Sequence, residues 1–254
     1  MRVPWIGALI LVWSLSLRAQ TWLPQGGPPG EIVTHTAYTL SYNSDHLVAN
    51  WVSHALRPEH LKDCVGRMNG FSPDPDLRSH SASSEDYARS GYDRGHLAPA
   101  GDMKWSAQVM KESFYMTNVS PQTPSMNRGR WLSLETLVRA WAKASQEVLV
   151  VTGPVLEQDL PQMGPSRVSI PRYHFKVILR TVGNQRQAIG FLMPQAPGPE
   201  EVKAFALPVR KIEELTGLDF FPHIPKLEQD SVEKEIAWQL WDFKATFSYS
   251  SCGA

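Results

Sequence analysis

Tyr92-Asp-Arg-Gly-His-Leu-Ala-Pro-Ala100 is the stretch on which the reading of the fold turns. A strand or extended segment is expected to end near His96, followed by a helix across Lys104–Glu112. Phe114–Met116 reads as a short apolar strand. Within Trp131–Ser145, Leu134, Leu137, Val138 and Trp141 recur at helical spacing and make one apolar stripe. Glu147–Thr152 is a run of Val and Leu stopped by Gly153-Pro154, the mark of a buried strand. Upstream, Val33–Tyr42 alternates, and Asn43-Ser44-Asp45 turns it into a second strand at His46–His54. Residues 66–92 are polar and rich in Ser, Asp and Pro, hence mostly loop. Further on, Tyr173–Val182 and Gln187–Met193 flank Gly183-Asn184-Gln185, a second hairpin. Pro194–Pro199 is a loop, and helices are expected over Val209–Leu215 and Val232–Phe243. Strands and helices mix without βαβ regularity, so the expected class is α+β in a single domain.

The N-terminus differs from the rest. Arg2, a largely apolar run from Val3 to Leu17 and the small residue Ala19 describe a secretory signal peptide over residues 1–19. The run is too short to span a bilayer comfortably. Residues 20–31, containing Gln25-Gly-Gly-Pro-Pro-Gly30, read as a Pro/Gly-rich linker, and residues 32–254 as the domain. The expected location is therefore secreted or periplasmic, with no stable membrane association after processing.

Removing Arg2 and Arg18 with the signal peptide turns 25 bases into 23, against 25 acids. Net charge thus makes no general case for a polyanionic partner. Its distribution is more informative: residues 89–143 carry eight bases (Arg89, Arg94, Lys104, Lys111, Arg128, Arg130, Arg139, Lys143) against four acids. That local basic island suits a polyanion, although a solvated face would look the same. Cys64 and Cys252 are the two cysteines. They exclude a zinc-ligand cluster and a disulfide scaffold, and leave one bridge possible in an oxidising compartment.

Asp93-Arg94-Gly95-His96 packs an acid, a cation, a turn residue and a titratable base into four positions, which an ion pair beside a surface histidine would also explain. The downstream residues add to it. Asn127 follows His96, then Glu135, then Arg139, the last two on adjacent turns of one helix face. With Trp131 and Leu134 turned to the core, that polar face is expected to look outward.

Taken together, Tyr92–Ala100, Phe114-Tyr-Met-Thr-Asn-Val-Ser-Pro-Gln122, Asn127, Trp131, Leu134-Glu135, Arg139, Val150-Val-Thr-Gly-Pro154 and Leu218-Asp-Phe-Phe-Pro222 resemble the DNA/RNA non-specific endonucleases. This is the family of endonuclease G and Serratia nuclease type, whose active site is a ββα-metal motif. The resemblance covers about residues 60–245. It implies a central, mainly antiparallel sheet and a metal-dependent phosphodiester hydrolase acting on DNA and RNA to leave 5′-phosphates. His96 takes the place of the general base and Asn127 that of the side chain that ligates Mg²⁺, or Mn²⁺. Glu135 acts on the metal's water, Arg94 and Arg139 contact phosphate, and Asn118 supports the geometry. The Serratia branch has a further arginine upstream of the histidine strand. The alignment there falls near Asn69, with Arg67 ranked ahead of Arg78. Arg128 and Arg130 are further substrate-binding candidates, and a homodimer is possible.

Chemistry agrees with these roles. An imidazole titrating near neutrality suits water activation, a bound cation polarises phosphoryl oxygens, Mg²⁺ is satisfied by one hard oxygen ligand plus waters, and arginine forks match phosphate. Asn118-Val119-Ser120 is also a glycosylation sequon, in conflict with a structural role for Asn118. His35, His46, His54 and His60 read as surface or satisfied core residues. No Gly-x-Ser-x-Gly elbow or phosphate-cradling glycine loop is present. Two alternative functions remain: a secreted nucleic-acid-binding protein, and a phosphodiesterase of small nucleotides.

Overall fold

A computed structural model describes residues 23–253; the expected signal peptide and residues 20–22 lie outside them. In chain order the principal strands are β1 (Glu31–Thr34), β2 (Tyr38–Asn43), β3 (Val48–Leu56), β4 (Asp93–His96), β5 (Val119–Gln122), β6 (Glu147–Pro154), β7 (Tyr173–Val182), β8 (Gln185–Pro194) and β9 (Ala206–Leu207). The principal helices are α1 (Ala107–Ser113), α2 (Leu132–Lys143), α3 (Val209–Thr216) and α4 (Lys226–Lys234). Seven strands form one sheet in the order β9-β8-β7-β6-β3-β2-β1, and every neighbouring pair is antiparallel. β4 and β5 pair as a separate two-stranded ribbon. This is the α+β single domain expected.

The apolar run in β6 is explained by burial on both faces. Val148 and Val150 join Ile178, Ile189 and Phe191 under α2, whose Leu134, Leu137, Val138 and Trp141 cover that face together with Trp131 just before it. Leu149 and Val151 point the other way, to Val177, Leu179 and the α3 residues Val209 and Ile212. Alternation along a strand thus serves two cores at once. At roughly 1.5–3 kcal/mol for each large side chain fully buried, these two clusters hold the sheet between its helices.

Several elements differ from the sequence expectation. Val33–Tyr42 breaks into β1 and β2, because His35 and Thr36 leave the ladder to bond Asp74 and Glu112. The helix expected from Lys104 starts at Ala107. Phe114–Met116 forms an isolated bridge between Ser72 and Tyr115, then a 3₁₀ turn over Met116–Asn118, rather than a strand. The helix expected over Val232–Phe243 is instead α4, ending at Lys234, followed by a single 3₁₀ turn at Trp238–Leu240. Trp241 and Phe243 both contact the Trp141 ring, at 4.8 and 5.7 Å. Residues two apart cannot share a helix face, so that packing requires a non-helical chain.

Residues 25–31 run along the domain rather than away from it. Gln25–Gly26 pairs with Leu218–Asp219, and Asn50 Nδ2 donates to the Pro28 and Pro29 carbonyls. At the other end, Ser250–Ser251 pairs with Lys62–Asp63, and Cys64 is disulfide-bonded to Cys252 with a Cα–Cα distance of 4.8 Å. A crosslink spanning 188 residues is worth on the order of 4–5 kcal/mol in the chain-entropy description. Reduction, or Cys252→Ser, is expected to lower Tm by several degrees or more. Thermal melts with and without reductant check this, and an unchanged melt alongside thiols that react freely in the native protein refutes it.

Candidate active site

The β4–β5 ribbon sets the site. Side chains alternate along β4, so Arg94 and His96 share one face while Asp93 and Gly95 share the other. Gly95 leaves no room for a side chain, since a Cβ there would meet the Gln122 amide at 2.2–2.6 Å. On the first face, His96 packs against two rings, Phe71 at 5.0 Å and Phe114 at 4.8 Å between centroids, which also touch each other at 4.9 Å. Each ring carries a guanidinium: Arg94 lies 4.9 Å from the Phe71 centroid, and Arg67 lies 5.1 Å from that of Phe114. Arg94 and Arg67 are both exposed. The residues thus brought together are His96, Arg94 and Arg67; Arg78 instead pairs with Glu31.

His96 is 7% exposed. Its Nε2 is buried without a hydrogen-bond partner among the described residues. Burial in the aromatic slot, reinforced by the Arg67 charge, pushes its pKa down to about 3. The imidazole is neutral throughout the physiological range, as a proton acceptor must be.

Asn118 is completely buried. Its Oδ1 accepts the Ala98 N–H at 2.8 Å, and its Nδ2 donates to the Ala98 and Ser113 carbonyls. It thereby clamps the chain that leaves His96, and its burial leaves no space for a glycan.

On the opposite face, Asp93 accepts from Asn127 Nδ2 at 2.9 Å and from Arg128 Nε and Nη2 at 2.8 and 2.6 Å. The Arg128 hydrogen bonds, outweighing partial burial, hold the Asp93 carboxyl below the usual carboxylate range. Orientation of the Asn127 amide follows directly: its NH₂ group is spent on Asp93, and Oδ1 is left without a protein partner among the described residues. A neutral hard oxygen fixed in this way fits Mg²⁺ or Mn²⁺, which retain most of their waters. Asp93 had no separate role in the sequence reading; its place immediately before Arg94-Gly95-His96 was the available signal.

Asn127 sits in a π-helical turn, Asn127–Trp131, which feeds α2. Glu135, one turn into α2, is half-buried, and desolvation raises its pKa to about 7 against the lowering effects of Lys176 and Arg139. Lys176 is 1% exposed; its Nζ donates to Thr152 Oγ1 at 2.6 Å and lies 4.8 Å from the Trp131 ring centre. Burial lowers the Lys176 pKa to about 8 even though Glu135 opposes the shift. Its sequence context, one lysine in an apolar strand, gave no hint of this.

Two expectations are corrected. The polar face of α2 does not look outward at Arg139, which is 4% exposed and paired with Asp102 at 2.9 Å, Asp102 being held by His54 at 3.0 Å. The guanidinium neutralises a buried carboxylate rather than standing ready for phosphate. Arg130 is likewise 8% exposed. Its Nη2 donates to the Pro194 and Ala196 carbonyls, which removes it from the substrate surface. Two other groups of ligand-type side chains, His35/Asp74/Asp76 and Glu213/Asp219/Glu233, have atoms within 4.8 Å of one another. Neither includes a residue of this site, and their acids already hold His35 and Arg210.

The pH dependence follows from these groups. His96 stays neutral down to about pH 3, whereas Glu135 is ionised above about pH 7 and takes up a proton as pH falls through that value. At limiting Mg²⁺, kcat/KM is therefore expected to decline below about pH 7, and Glu135→Gln should flatten that limb while lowering activity overall. A pH–rate profile of the two proteins checks this; an unchanged limb in Glu135→Gln assigns it to another group.

The family model described as "DNA/RNA non-specific endonuclease" matches residues 24–227. Mitochondrial endonuclease G from Bos taurus is 35% identical over 230 residues, covering 79% of this chain and 76% of that protein. The Homo sapiens protein of the same name is 36% identical over 222 residues, covering 80% and 74%. Nuclease C1 from Cunninghamella echinulata var. echinulata is 34% identical over 220 residues, covering 78% and 86%. A chain from the crystal structure of the EndoG/EndoGI complex superposes with a TM-score of 0.73 at 30% identity, covering 80% of this chain and 90% of that one.

Proposed function

Because the chain belongs to the DNA/RNA non-specific endonuclease family, and is thus a metal-dependent phosphodiester hydrolase, we propose that it cleaves DNA and RNA with Mg²⁺, His96 acting as general base. The observation that carries this reading is a neutral His96 packed against two guanidinium-capped rings, its Nε2 without a hydrogen-bond partner; Asn127, whose NH₂ is taken by Asp93 so that its amide oxygen is spare, adds to it. Asn127 Oδ1 would hold the Mg²⁺ or Mn²⁺, which when bound would supply Lewis-acid polarisation of the scissile phosphate and its leaving oxygen.

The chain's own residues do the rest. The neutral His96 imidazole accepts a proton from the attacking water. Phe71 and Phe114, packed against it, restrict the ring plane. A weak base in the free protein gains strength when an anionic diester stands before it, since negative charge favours the imidazolium. Arg94 and Arg67, exposed beside the rings, bind backbone oxygens by bidentate hydrogen bonds. Such contacts carry no sequence information, which agrees with a non-specific enzyme. Arg128, on the Asp93 side of the ribbon, orders the carboxylate that holds Asn127. Water rather than a ribose hydroxyl attacks, so both polymers are substrates, and departure of the 3′-oxygen as the alcohol leaves the phosphate on the 5′ end.

We further propose export to a secreted or periplasmic location. The Cys64–Cys252 bond supports it, because disulfides persist in oxidising compartments. Intact mass from the native host tests this point, and retention of Met1–Ala19 overturns it. The catalytic reading is tested by incubating purified protein with plasmid DNA and with RNA in Mg²⁺, then analysing the ends. Inertness towards both polymers, or 2′,3′-cyclic phosphate products, refutes it. Cleavage of a small chromogenic diester without cleavage of plasmid would favour the small-nucleotide alternative.

A further inference from the structure

The turn that presents Asn127 is gripped from both ends by the chain leaving β8. At its start, the Gln195 side chain accepts the Thr123 N–H through Oε1 at 2.8 Å and donates from Nε2 to the Pro121 carbonyl at 2.6 Å. Bonding the carbonyl of one residue and the N–H two residues on is the pattern a neighbouring parallel strand makes. The Gln195 amide therefore stands in for a strand along the outer edge of β5, whose other edge is occupied by β4. Thr123 Oγ1 adds a bond to the Gln195 carbonyl at 3.0 Å. The Thr123 carbonyl in turn receives the Asn127 N–H at 2.9 Å. One short chain of bonds thus runs from Gln195 through Thr123 to Asn127.

At the far end of the same turn, Arg130 donates to the carbonyls of Pro194 and Ala196, which flank Gln195, with its guanidinium 5.2 Å from the Phe205 ring centre. Gln195 is itself fixed by its N–H bond to the Arg172 carbonyl at 2.9 Å, and Pro197 and Pro199 limit the freedom of the chain that follows.

We propose that Gln195 and Arg130 are positioning residues for the metal-bearing turn: residues 194–196 splint it at both ends and thereby set where Asn127 Oδ1 is presented. This rests on the assignment of Asn127 as metal ligand made above. It also gives Arg130 a task in place of the phosphate contact expected from sequence. Groups that orient a ligand from outside the coordination sphere typically change metal affinity by about 10–100-fold when removed.

The test measures Mn²⁺ binding to the full protein by electron paramagnetic resonance of free Mn²⁺, which needs no catalysis, beside the Mg²⁺ concentration for half-maximal plasmid cleavage. Gln195→Ala is expected to raise the Mn²⁺ Kd by about 10-fold and the Mg²⁺ requirement in parallel, with turnover at saturating metal nearly retained. Gln195→Asn, one methylene too short to reach both Pro121 and Thr123, should behave alike if the alanine variant folds poorly. Arg130→Lys should weaken Mn²⁺ in the same direction. Wild-type Mn²⁺ affinity in folded Gln195→Asn and Arg130→Lys overturns the proposal. So does a loss confined to turnover or to KM for DNA, which would mark a substrate contact. Asn127→Ala separates the two levels: Mn²⁺ binding that survives in it refutes the ligand assignment itself, and the splint with it.

Discussion

Replacing His96 with alanine is expected to lower turnover by about 10²–10⁴-fold, the usual contribution of a positioned general base, while the fold is kept. The ring makes no hydrogen bond whose loss would leave a buried partner unsatisfied; its Nε2 is already alone. What folding loses is packing against Phe71 and Phe114, whose rings already touch each other at 4.9 Å between centroids and stay in place without it. His96→Asn keeps more of the volume and should be as inactive, because an amide is not a base. Near-UV circular dichroism and a thermal melt establish folding, and single-turnover cleavage establishes the chemical step. Either variant cutting at the wild-type rate would remove His96 from the mechanism.

The second large effect concerns Asn127. With one neutral oxygen as the ligand this chain provides, affinity for Mg²⁺ should be modest, and chelation should abolish cleavage. Asn127→Ala should need far more Mg²⁺ or fail outright. The less obvious expectation is that Asn127→Asp, which adds the charge a cation ordinarily prefers, also fails. Its carboxylate would face Asp93, which now accepts the Asn127 NH₂ at 2.9 Å, and would leave that acceptor opposed by a like charge. Repulsion between adjacent carboxylates raises one of their pKa values, so the aspartate variant should regain activity only towards higher pH, if at all. Cleavage measured against Mg²⁺ concentration at two pH values checks this. Full activity in excess EDTA, or a fully active Asn127→Asp at neutral pH, would contradict the geometry.

Much of the sheet was legible because its strands advertise themselves. β6 is an unbroken Val/Leu run and is covered on both faces, and β7 and β8 meet at a glycine turn where the hairpin was expected. The α2 stripe named the residues that now cover the sheet. Errors fell where side chains overrule local pattern. His35 and Thr36 break a β-prone run by bonding acids 39 and 76 residues away. The C-terminal aromatics follow the surface of Trp141 rather than a helical repeat.

At the site, the residue types were legible from the order of the chain alone: an imidazole at His96, an amide at Asn127, a carboxylate at Glu135, and a reserve of arginines. Those identities follow from residue type and order, which folding does not change. Which arginines stay exposed and which are buried was legible in the fold and not in the chain order. Arg94 and Arg67 are exposed over Phe71 and Phe114, whereas Arg139 and Arg130 are withdrawn to Asp102 and to the Pro194 and Ala196 carbonyls. A guanidinium has the same charge in every context, so pattern cannot tell a phosphate contact from a buried brace. Its role is settled by whichever carboxylate, carbonyl or open surface the fold brings within reach, because an unpaired buried charge is too costly to persist.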